Sequence, residues 1–206
     1  MEVQKGKEHY YNNDYDNKGR FISYWHQKDE ILRKNPKTVL EIGIGNNFLS
    51  DYLRKRKIEV TTLDICDELG PDIKASITSI PVEDNKYELV SCFEVLEHLP
   101  YKDFPGALKE IYRVCSRYSI ISLPDSNTAI SIFLLLPKIK DIRILFSLRR
   151  IRPKIHQFDG QHYWEIGKRG YDLKVIISKI KETGFRIVRT YRMHEVPYYR
   201  FFILEK

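Results

Sequence analysis

Two glycines and a carboxylate beside the first strongly apolar run have the types and the spacing of a ligand-binding turn. Glu41 lies inside the run "VLEI", and Gly43 and Gly45 follow it. Glycines placed directly after a strand let the backbone turn sharply and let a ligand approach it closely. A carboxylate at this point would repel a pyrophosphate and attract a cationic group. The turn therefore favours a ligand that carries a positive charge and no phosphate.

A second carboxylate, Asp64, ends the next apolar run, 23 residues after Glu41. A carboxylate at the end of a second strand can accept hydrogen bonds from both ribose hydroxyls, as it does in NAD enzymes. The dinucleotide fingerprint, however, requires a third glycine where this chain has Phe48. S-adenosylmethionine combines a ribose with an ammonium group and a sulfonium, and it has no phosphate. It is a ligand that fits both carboxylates.

The elements that must position these residues alternate along the chain. Apolar runs predict strands, and apolar residues spaced three and four apart predict helices between them. Strands separated by helices are typical of βαβ units and a mostly parallel α/β sheet, with ligands at the carboxyl ends of the strands. The last two strands are close enough in sequence to be antiparallel. The predicted strands are 38–42, 58–64, 72–76, 87–93, 118–124, 185–193 and 198–205, and the predicted helices are 21–34, 47–56, 104–115 and 172–184.

Four segments in this order, "VLEIGIGNN", "TTLDI", "SIP" and "YELVSCFEVLEHL", together resemble the class I S-adenosylmethionine-dependent methyltransferases of the small-molecule, type 11-like kind. The resemblance covers residues 38–124 well and extends through the last helix and strands. It implies a single domain over residues 1–206, with a Rossmann-like, doubly wound, seven-stranded sheet whose last strand is antiparallel. It also implies S-adenosylmethionine as the cofactor and S-adenosylhomocysteine as the product.

The resemblance assigns roles to the residues that match its motifs. Glu41 would orient the glycine turn and hold the methionine ammonium group, directly or through water. Asp64 would bind the ribose, and Ile65 would pack on the adenine. Phe93 would offer its backbone carbonyl to the methionine end. The cofactor-binding set implied in this way is Glu41, Gly43, Gly45, Asp64, Ile65, Ser76, Ile77 and Phe93.

Two positions depart from the family pattern. Ser76, followed by Ile77, stands where the family often has an acidic residue that meets the adenine amino group, so this contact would fall to a hydroxyl or to backbone. Asn46 replaces a frequent third glycine, and asparagine tolerates the left-handed conformation that the turn would need. The acidic residues and the histidine of "FEVLEHLP" are expected to be helix-start and surface residues.

Residues 125–169 interrupt the alternation, at the place where the family usually inserts its acceptor-recognition elements. We expect a small helical insert that buries apolar side chains over the sheet. The alternative is peripheral contact with an anionic membrane, because the segment is both apolar and basic. Residues 1–36 are expected to form an N-terminal helix and lid. The side chains expected to be buried in the insert are Ile132, Phe133, Leu136, Ile142, Leu145 and Phe146.

The second half of the insert, "HQFDGQHYWEIG", is dense in aromatic and hydrogen-bonding groups, which suit a sugar or another polyhydroxylated ring. His162 is the candidate general base, because a neutral imidazole can remove a hydroxyl proton near pH 7. The alternative is that Tyr163 and Trp164 anchor the insert and that His162 satisfies a backbone group. A metal site formed by His156, His162 and Glu165 is possible by residue type, but the spacing matches no metal pattern, so no metal is expected. The predicted acceptor-binding residues are Tyr163, Trp164, Glu165 and His156.

Charge and cysteine content limit the remaining classes of protein. The net charge is +7, but the excess is concentrated between Lys138 and Lys154, and nothing else in the chain has a nucleic-acid-binding signature. Nucleic acid is therefore a disfavoured partner. The cysteines Cys66, Cys92 and Cys115 show no CxxC spacing and indicate a reducing compartment. Without an apolar signal segment or a run long enough to span a bilayer, a cytoplasmic location is expected.

The sequence thus predicts a methyltransferase that transfers the methyl group of S-adenosylmethionine to a small-molecule or lipid-linked acceptor, with a sugar hydroxyl among the candidates. Two alternatives stay open. The net charge keeps an RNA methyltransferase in play, which would use Arg149, Arg150 and Arg152 to neutralise phosphates. The other alternative is a non-catalytic protein that retains the cofactor fold and holds a partner through its basic insert.

Overall fold

The computed structural model describes residues 6–12, 14–135, 142–148 and 153–206. Its main feature is a central sheet of seven strands with helices on both faces. The sheet strands are β1 (Thr38–Ile42), β2 (Glu59–Asp64), β3 (Ile73–Lys74), β4 (Tyr87–Phe93), β5 (Cys115–Pro124), β8 (Arg186–Arg192) and β9 (Tyr199–Glu205). The helices are α1 (Lys7–Tyr10), α2 (Lys18–Lys34), α3 (Phe48–Lys55), α4 (Phe104–Val114) and α5 (Leu173–Glu182).

The strand order is β3-β2-β1-β4-β5-β9-β8. Strand β9 runs antiparallel to both of its neighbours, and the pairs among β1 to β5 are parallel. This order confirms the predicted doubly wound, mostly parallel sheet with an antiparallel last strand. The strands that follow β1 are added first on one side of it, as β2 and β3, and then on the other side, as β4 and β5. Open sheets of this type bind ligands at such a switch in strand order, beyond the carboxyl ends of the strands.

The helices form where the sequence places apolar residues on one face. In α4, Phe104, Ala107, Leu108 and Ile111 are fully buried, at the three- and four-residue spacing that aligns side chains on one side of a helix. Each large aliphatic or aromatic side chain buried in this way stabilises the fold by about 1.5–3 kcal/mol. Helices α4 and α5 pack on one face of the sheet, and α2 and α3 pack on the other.

The insert differs from its prediction. It forms a β-hairpin, β6 (Thr128–Leu134) with β7 (Ile142–Leu148), and not a helical cap. In the run "AISI", residues 129–132, a small residue alternates with isoleucine. This period of two favours a strand, and the helical prediction overlooked it. The apolar side chains are not buried over the sheet: Ile132, Phe133, Ile142 and Phe146 are 38–50% exposed, and Leu136 lies outside the described residues.

The hairpin has two different faces. Its outward face is apolar and consists of the cross-strand pairs Ile130–Phe146, Ile132–Ile144 and Leu134–Ile142, together with Leu148. The opposite face is tied to the body of the protein. Arg143 pairs with Glu195 at 2.7 Å, and the guanidinium of Arg192 donates to Ser147 Oγ at 2.9 Å. The hairpin is therefore fixed at its base and presents an apolar sheet surface to solvent. Within the described ranges, no helix has both the length and the apolar character needed to cross a bilayer.

Candidate functional site

A pocket of about 240 Å³ opens at the carboxyl ends of β1, β2 and β4. The predicted lid region, the strand ends and the insert all contribute side chains to its wall. The predicted site residues found on the wall are Gly43, Gly45, Asp64, Ile65, Phe93 and His162. The fold therefore brings the glycine turn, the second-strand carboxylate and the candidate base around one cavity.

The glycine turn is required by the backbone geometry. Gly43 and Gly45 have φ values of +80° and +52°, a region that glycine occupies without strain. A Cβ on Gly43 would lie 2.2 Å from the Cγ2 atom of Val95, so no other residue fits without movement. The left-handed residue that ends the turn is Asn47, with φ +64°, and the expectation for Asn46 was wrong. The side chain of Asn46 instead accepts a hydrogen bond from the N–H of Phe48 at 3.2 Å.

We expect Gly43→Ala to lower the melting temperature markedly. The substitution combines the left-handed strain of about 1–3 kcal/mol with the contact on Val95 Cγ2 at 2.2 Å, and a domain of this size loses about 2–4 °C per kcal/mol. A matched control is Gly70→Ala, because Gly70 has φ +69° but open space around its Cβ direction. Differential scanning calorimetry should show the larger drop for Gly43→Ala and partial recovery in Gly43→Ala/Val95→Ala. Equal drops for the two glycines would contradict the steric argument.

Asp64 joins the two turns that border the pocket. Its Oδ2 accepts a hydrogen bond from the N–H of Ile44 at 3.0 Å, and its Oδ1 accepts one from the N–H of Cys66 at 2.8 Å. Burial raises the pKa of Asp64, and these backbone donors oppose the rise. Each carboxylate oxygen can accept more than one hydrogen bond. The side chain can therefore hold both turns and still accept bonds from a ligand in the pocket.

Glu41 lies behind the turn and is not among the residues on the pocket wall. It is 4% exposed, and its Oε2 has no hydrogen-bond partner in the described part of the chain. Burial raises the pKa of Glu41 to about 8, against an opposing effect of Arg54 and Ser50 on α3. This placement supports a role in shaping the glycine turn, and it does not support direct contact with a ligand.

Glu41 should make the unliganded protein less stable as the pH rises. The folded chain holds the Glu41 proton up to about pH 8, whereas the unfolded chain loses it near pH 4.3. The contribution of Glu41 to the free energy of unfolding is therefore fully present below about pH 4 and is lost as the pH passes through about 8. Thermal unfolding between pH 5 and 8.5 should show a smaller decline for Glu41→Gln than for the unsubstituted protein. Parallel declines in the two proteins would refute this assignment.

The segment after β4 differs most from its prediction. Glu97 is 0% exposed, and Glu94 lies on the pocket wall, so neither is a surface residue. Glu94 has φ +54°, accepts a hydrogen bond from Ser122 Oγ at 2.7 Å, and has its pKa raised to about 7, mainly by burial. Burial raises the pKa of Glu97 well above its usual range and lowers the pKa of His98 to about 4. Three ionisable groups thus lie close together after β4, and burial shifts the pKa of each.

His162 is held in place by neighbours from the insert and from the loop before β9. Its Nδ1 lies 3.2 Å from Glu165 Oε1, and the same oxygen accepts a hydrogen bond from Tyr198 Oη at 2.7 Å. Burial opposes ionisation of Glu165, but these hydrogen bonds and Lys168 lower its pKa to about 2. Glu165 is thus an anion beside Nδ1, and the Nε2 atom of His162 lies 3.9 Å from Glu97 Oε1.

The other predicted acceptor-binding residues do not line the pocket. Trp164 is 0% exposed and donates from Nε1 to the carbonyl of Leu99 at 3.1 Å, so its assignment to acceptor binding is corrected to anchoring the insert. His156 contacts the carbonyl of His162 at 2.8 Å. Tyr163 packs on Phe158 outside the pocket, with ring centroids 4.5 Å apart. The anchoring alternative therefore describes this part of the insert.

The pocket also contains residues that the sequence did not single out. Arg20 of α2 lies on the wall, its guanidinium is 4.4 Å from the ring centroid of Tyr15, and its buried Nε has no hydrogen-bond partner among the described residues. Tyr15 Oη would be 3.0 Å from a Cβ on Gly45, so the N-terminal segment rests on the glycine turn. Nothing in the pattern of α2 distinguishes Arg20 from its solvent-exposed basic neighbours.

Comparison with known proteins agrees with this geometry. Residues 40–123 match the family model described as "Methyltransferase domain". Among curated proteins, the ubiquinone biosynthesis O-methyltransferase of Hydrogenovibrio crunogenus is 32% identical over 79 residues, which is 31% of this chain and 33% of that protein. The ubiquinone biosynthesis O-methyltransferase of Bordetella avium is 29% identical over 77 residues. These matches span about a third of the relatives' length.

Solved structures share the fold at low sequence identity. Magnesium protoporphyrin IX methyltransferase of Synechocystis, solved with bound S-adenosylhomocysteine, has a TM-score of 0.62 and 14% identity, and covers 97% of this chain and 92% of its own. The 1,6-didemethyltoxoflavin-N1-methyltransferase of Burkholderia thailandensis has a TM-score of 0.59 and 13% identity, and covers 91% and 86%.

Proposed function

We infer that this chain, which has the fold of the class I S-adenosylmethionine-dependent methyltransferases and matches a methyltransferase-domain model over residues 40–123, transfers a methyl group from S-adenosylmethionine to a hydroxylated small molecule. The observation that carries the proposal is the pocket at the carboxyl ends of β1, β2 and β4. It combines a glycine turn that admits a ligand with a second-strand carboxylate that suits a ribose.

The residues present fit the cofactor. Asp64 would accept hydrogen bonds from the ribose hydroxyls, and the turn through Gly43 and Gly45 would allow the backbone to approach the ligand. Arg20 brings a guanidinium whose buried Nε has no hydrogen-bond partner in the described part of the chain, which suits the carboxylate of an amino acid. Phe93 ends β4 on the pocket wall, where its carbonyl can meet an ammonium group. When bound, the cofactor supplies a methyl group already activated by a positively charged sulfur.

The adenine contact falls to Ile65 and Ile77. Both residues line a small hollow next to the main pocket, together with Asp64. Ser76 is less well placed for this contact, because its Oγ is 2.8 Å from Thr78 Oγ1 and it is not among the residues of either hollow. We therefore propose apolar packing of the adenine on Ile65 and Ile77, with hydrogen bonds from the backbone and not from Ser76.

We propose His162 as the group that takes the proton of the acceptor hydroxyl. Glu165, kept ionised, accepts a hydrogen bond from Nδ1–H and so leaves Nε2 unprotonated. Tyr198 fixes Glu165 from the other side through a 2.7 Å hydrogen bond. Nε2 can then remove a hydroxyl proton while Glu165 stabilises the imidazolium that forms. The chain's remaining task is to align the acceptor and exclude water, which the buried surroundings of Glu94 and Glu97 favour.

The acceptor class is proposed from two sources. The curated relatives are named as O-methyltransferases of ubiquinone biosynthesis, which supports an oxygen acceptor. The outward apolar face of the β6–β7 hairpin, with residues 38–52% exposed, supports an acceptor attached to a lipid, because such a face can lie on a membrane surface. A sugar hydroxyl stays a candidate. The arginines proposed for RNA contact lie outside the described residues, and no described residue favours that alternative.

The test is calorimetry with S-adenosylhomocysteine followed by a turnover screen. The screen measures S-adenosylhomocysteine release from S-adenosylmethionine against pools of sugars, phenols, lipid-linked hydroxyl compounds in vesicles, and RNA. We expect binding heat and turnover with hydroxylated acceptors. Binding without turnover on any pool would favour the non-catalytic alternative, turnover only on RNA would favour the RNA methyltransferase, and absence of binding heat would remove the enzyme proposal.

A further inference from the structure

We propose that Glu97, His98 and His162 form a binding site for one divalent transition-metal ion at the wall of the pocket. Each residue offers one ligand atom, and the three atoms lie within 4.8 Å of one another. His98 and His162 both line the pocket, so a bound ion would be in reach of a small molecule there. The site differs from the sequence expectation, which considered a different set of residues and predicted no metal.

Glu97 gives the strongest indication. Its side chain is 0% exposed, and neither carboxylate oxygen has a well-aligned hydrogen bond in the described part of the chain. The carboxyl group of Glu94 is its acidic neighbour and raises the pKa of Glu97 further, so a cation here would lie between two buried carboxyl groups. A buried carboxylate without partners destabilises the folded state by several kcal/mol unless it is neutralised, paired or bound to a metal. Its Oε1 lies 3.9 Å from Nε2 of His162, a gap that is too long for a hydrogen bond but that an ion can bridge.

Both histidines are already oriented in the way that metal ligands usually are. In metal sites the ring nitrogen that does not bind the ion is held by a carboxylate or a backbone carbonyl. Here Nδ1 of His98 lies 3.0 Å from the carbonyl of Gln161, and Nδ1 of His162 lies 3.2 Å from Glu165 Oε1. Two independent contacts therefore set the Nδ1–H tautomer and direct each Nε2 as the donor atom.

A neighbouring trio of possible ligands, Asp159, His162 and Glu165, is the weaker candidate. Asp159 is exposed and already accepts hydrogen bonds from the N–H groups of Gln161 and His162, at 2.9 and 2.8 Å. Glu165 accepts from Tyr198 and lies 3.5 Å from Lys168 Nζ. Both carboxylates are satisfied without an ion, whereas neither oxygen of Glu97 has a well-aligned hydrogen bond among the described residues.

The donor set indicates the class of ion and its use. Two imidazoles and one carboxylate suit zinc, cobalt, nickel or ferrous iron better than magnesium or calcium. Three protein ligands would leave a coordination position for an acceptor oxygen, and a hydroxyl bound there would lose its proton to water more readily. This use rests on the proposed function. While the ion is bound, Nε2 of His162 is a ligand and cannot accept a proton, so activation of the hydroxyl by the ion would replace the role of His162 as general base.

The test uses Co²⁺ as a spectroscopic probe on the full chain after treatment with a chelator. We expect one equivalent of Co²⁺ to produce visible d–d absorption bands with intensity typical of fewer than six ligands. Glu97→Gln, His98→Ala and His162→Ala should each weaken binding by at least about 100-fold, and Glu165→Gln by about 10- to 100-fold. The matched control is His26→Ala, because His26 pairs with Tyr191 and Glu195 and should leave the Co²⁺ titration unchanged.

The same samples are titrated with S-adenosylhomocysteine to check folding and the proposed function separately. Cofactor binding without a Co²⁺ spectrum, or a spectrum that survives all three ligand substitutions, would overturn the metal site and leave the proposed function intact. A Co²⁺ spectrum without cofactor binding would support the metal site and overturn the proposed function. If His98→Ala or His162→Ala does not fold, Glu97→Gln, which keeps the size of the side chain, decides the outcome.

Discussion

Asp64→Ala should weaken the binding of S-adenosylhomocysteine by at least about 100-fold, which corresponds to about 2.7 kcal/mol. The substitution removes the acceptor for the ribose hydroxyls, and it leaves the N–H groups of Ile44 and Cys66 without the partners they have at 3.0 and 2.8 Å. An unsatisfied buried donor costs about 1–3 kcal/mol. Both effects act on the same pocket, so the loss should exceed that of a single ligand hydrogen bond. Isothermal titration calorimetry measures it directly.

The control is Asp67→Ala, three residues further along the chain. Asp67 is exposed and pairs with Lys74 at 3.0 Å, and surface pairs of this kind contribute less than about 1 kcal/mol. Its substitution should leave cofactor affinity within about twofold of the original. A comparable loss for both variants, or an affinity of Asp64→Ala within about threefold of the original, would show that Asp64 does not bind the cofactor.

His162→Ala should lower kcat by about 100- to 10,000-fold, the range typical of lost general acid–base catalysis. Affinity for S-adenosylhomocysteine should change little, because the ribose and amino acid contacts proposed above use other residues. The decline should appear in kcat and in kcat/KM together, as expected for an interaction made in the transition state. Steady-state kinetics with the best acceptor from the turnover screen, and calorimetry on the same protein, measure the two quantities.

Two further variants separate a base from a structural residue. Glu165→Gln keeps the shape of the side chain but removes the anion beside Nδ1, so it should lower kcat by less than His162→Ala and shift the rising limb of the pH–rate profile. His26→Ala should leave the profile unchanged, since His26 lies between Tyr191 and Glu195, away from the pocket wall. A full rate in His162→Ala, or an unshifted profile in Glu165→Gln, would reject His162 as the base.

The sheet was predictable because its signals are local. The runs that end at Ile42, Asp64 and Phe93 became β1, β2 and β4 with ends that agree with the structure. Each run is rich in apolar and β-branched residues, as a parallel strand covered on both faces requires. The motif glycines and Asp64 follow from the same runs, since their positions are fixed by the strand ends. Spacing along the chain therefore sufficed for the cofactor side of the pocket.

The acceptor side was not predictable in the same way, because its contacts join distant parts of the chain. Glu97 and His162 are 65 residues apart in sequence, and nothing local distinguishes a buried Glu97 from a helix-start glutamate. In the sequence, Arg20 is one of several basic residues in an amphipathic helix. Its place at the pocket depends on the packing of Tyr15 against it, which only the fold brings about. Trp164 is of a residue type that is common in binding sites. In the structure its ring packs on Phe104 of α4, a contact that forms only when the insert packs on this helix. The tertiary arrangement determines these roles.

Glu94 carries a consequence for attempts to make this protein more heat-resistant. Its backbone adopts a conformation that a glycine or an asparagine would adopt more readily, and its carboxyl group is enclosed beside Glu97. Selection for thermal robustness alone should therefore replace Glu94 early, and the variants obtained should outlast the original on heating while losing turnover. Such a trade-off between stability and activity is expected when a residue with a left-handed backbone conformation lines the ligand pocket.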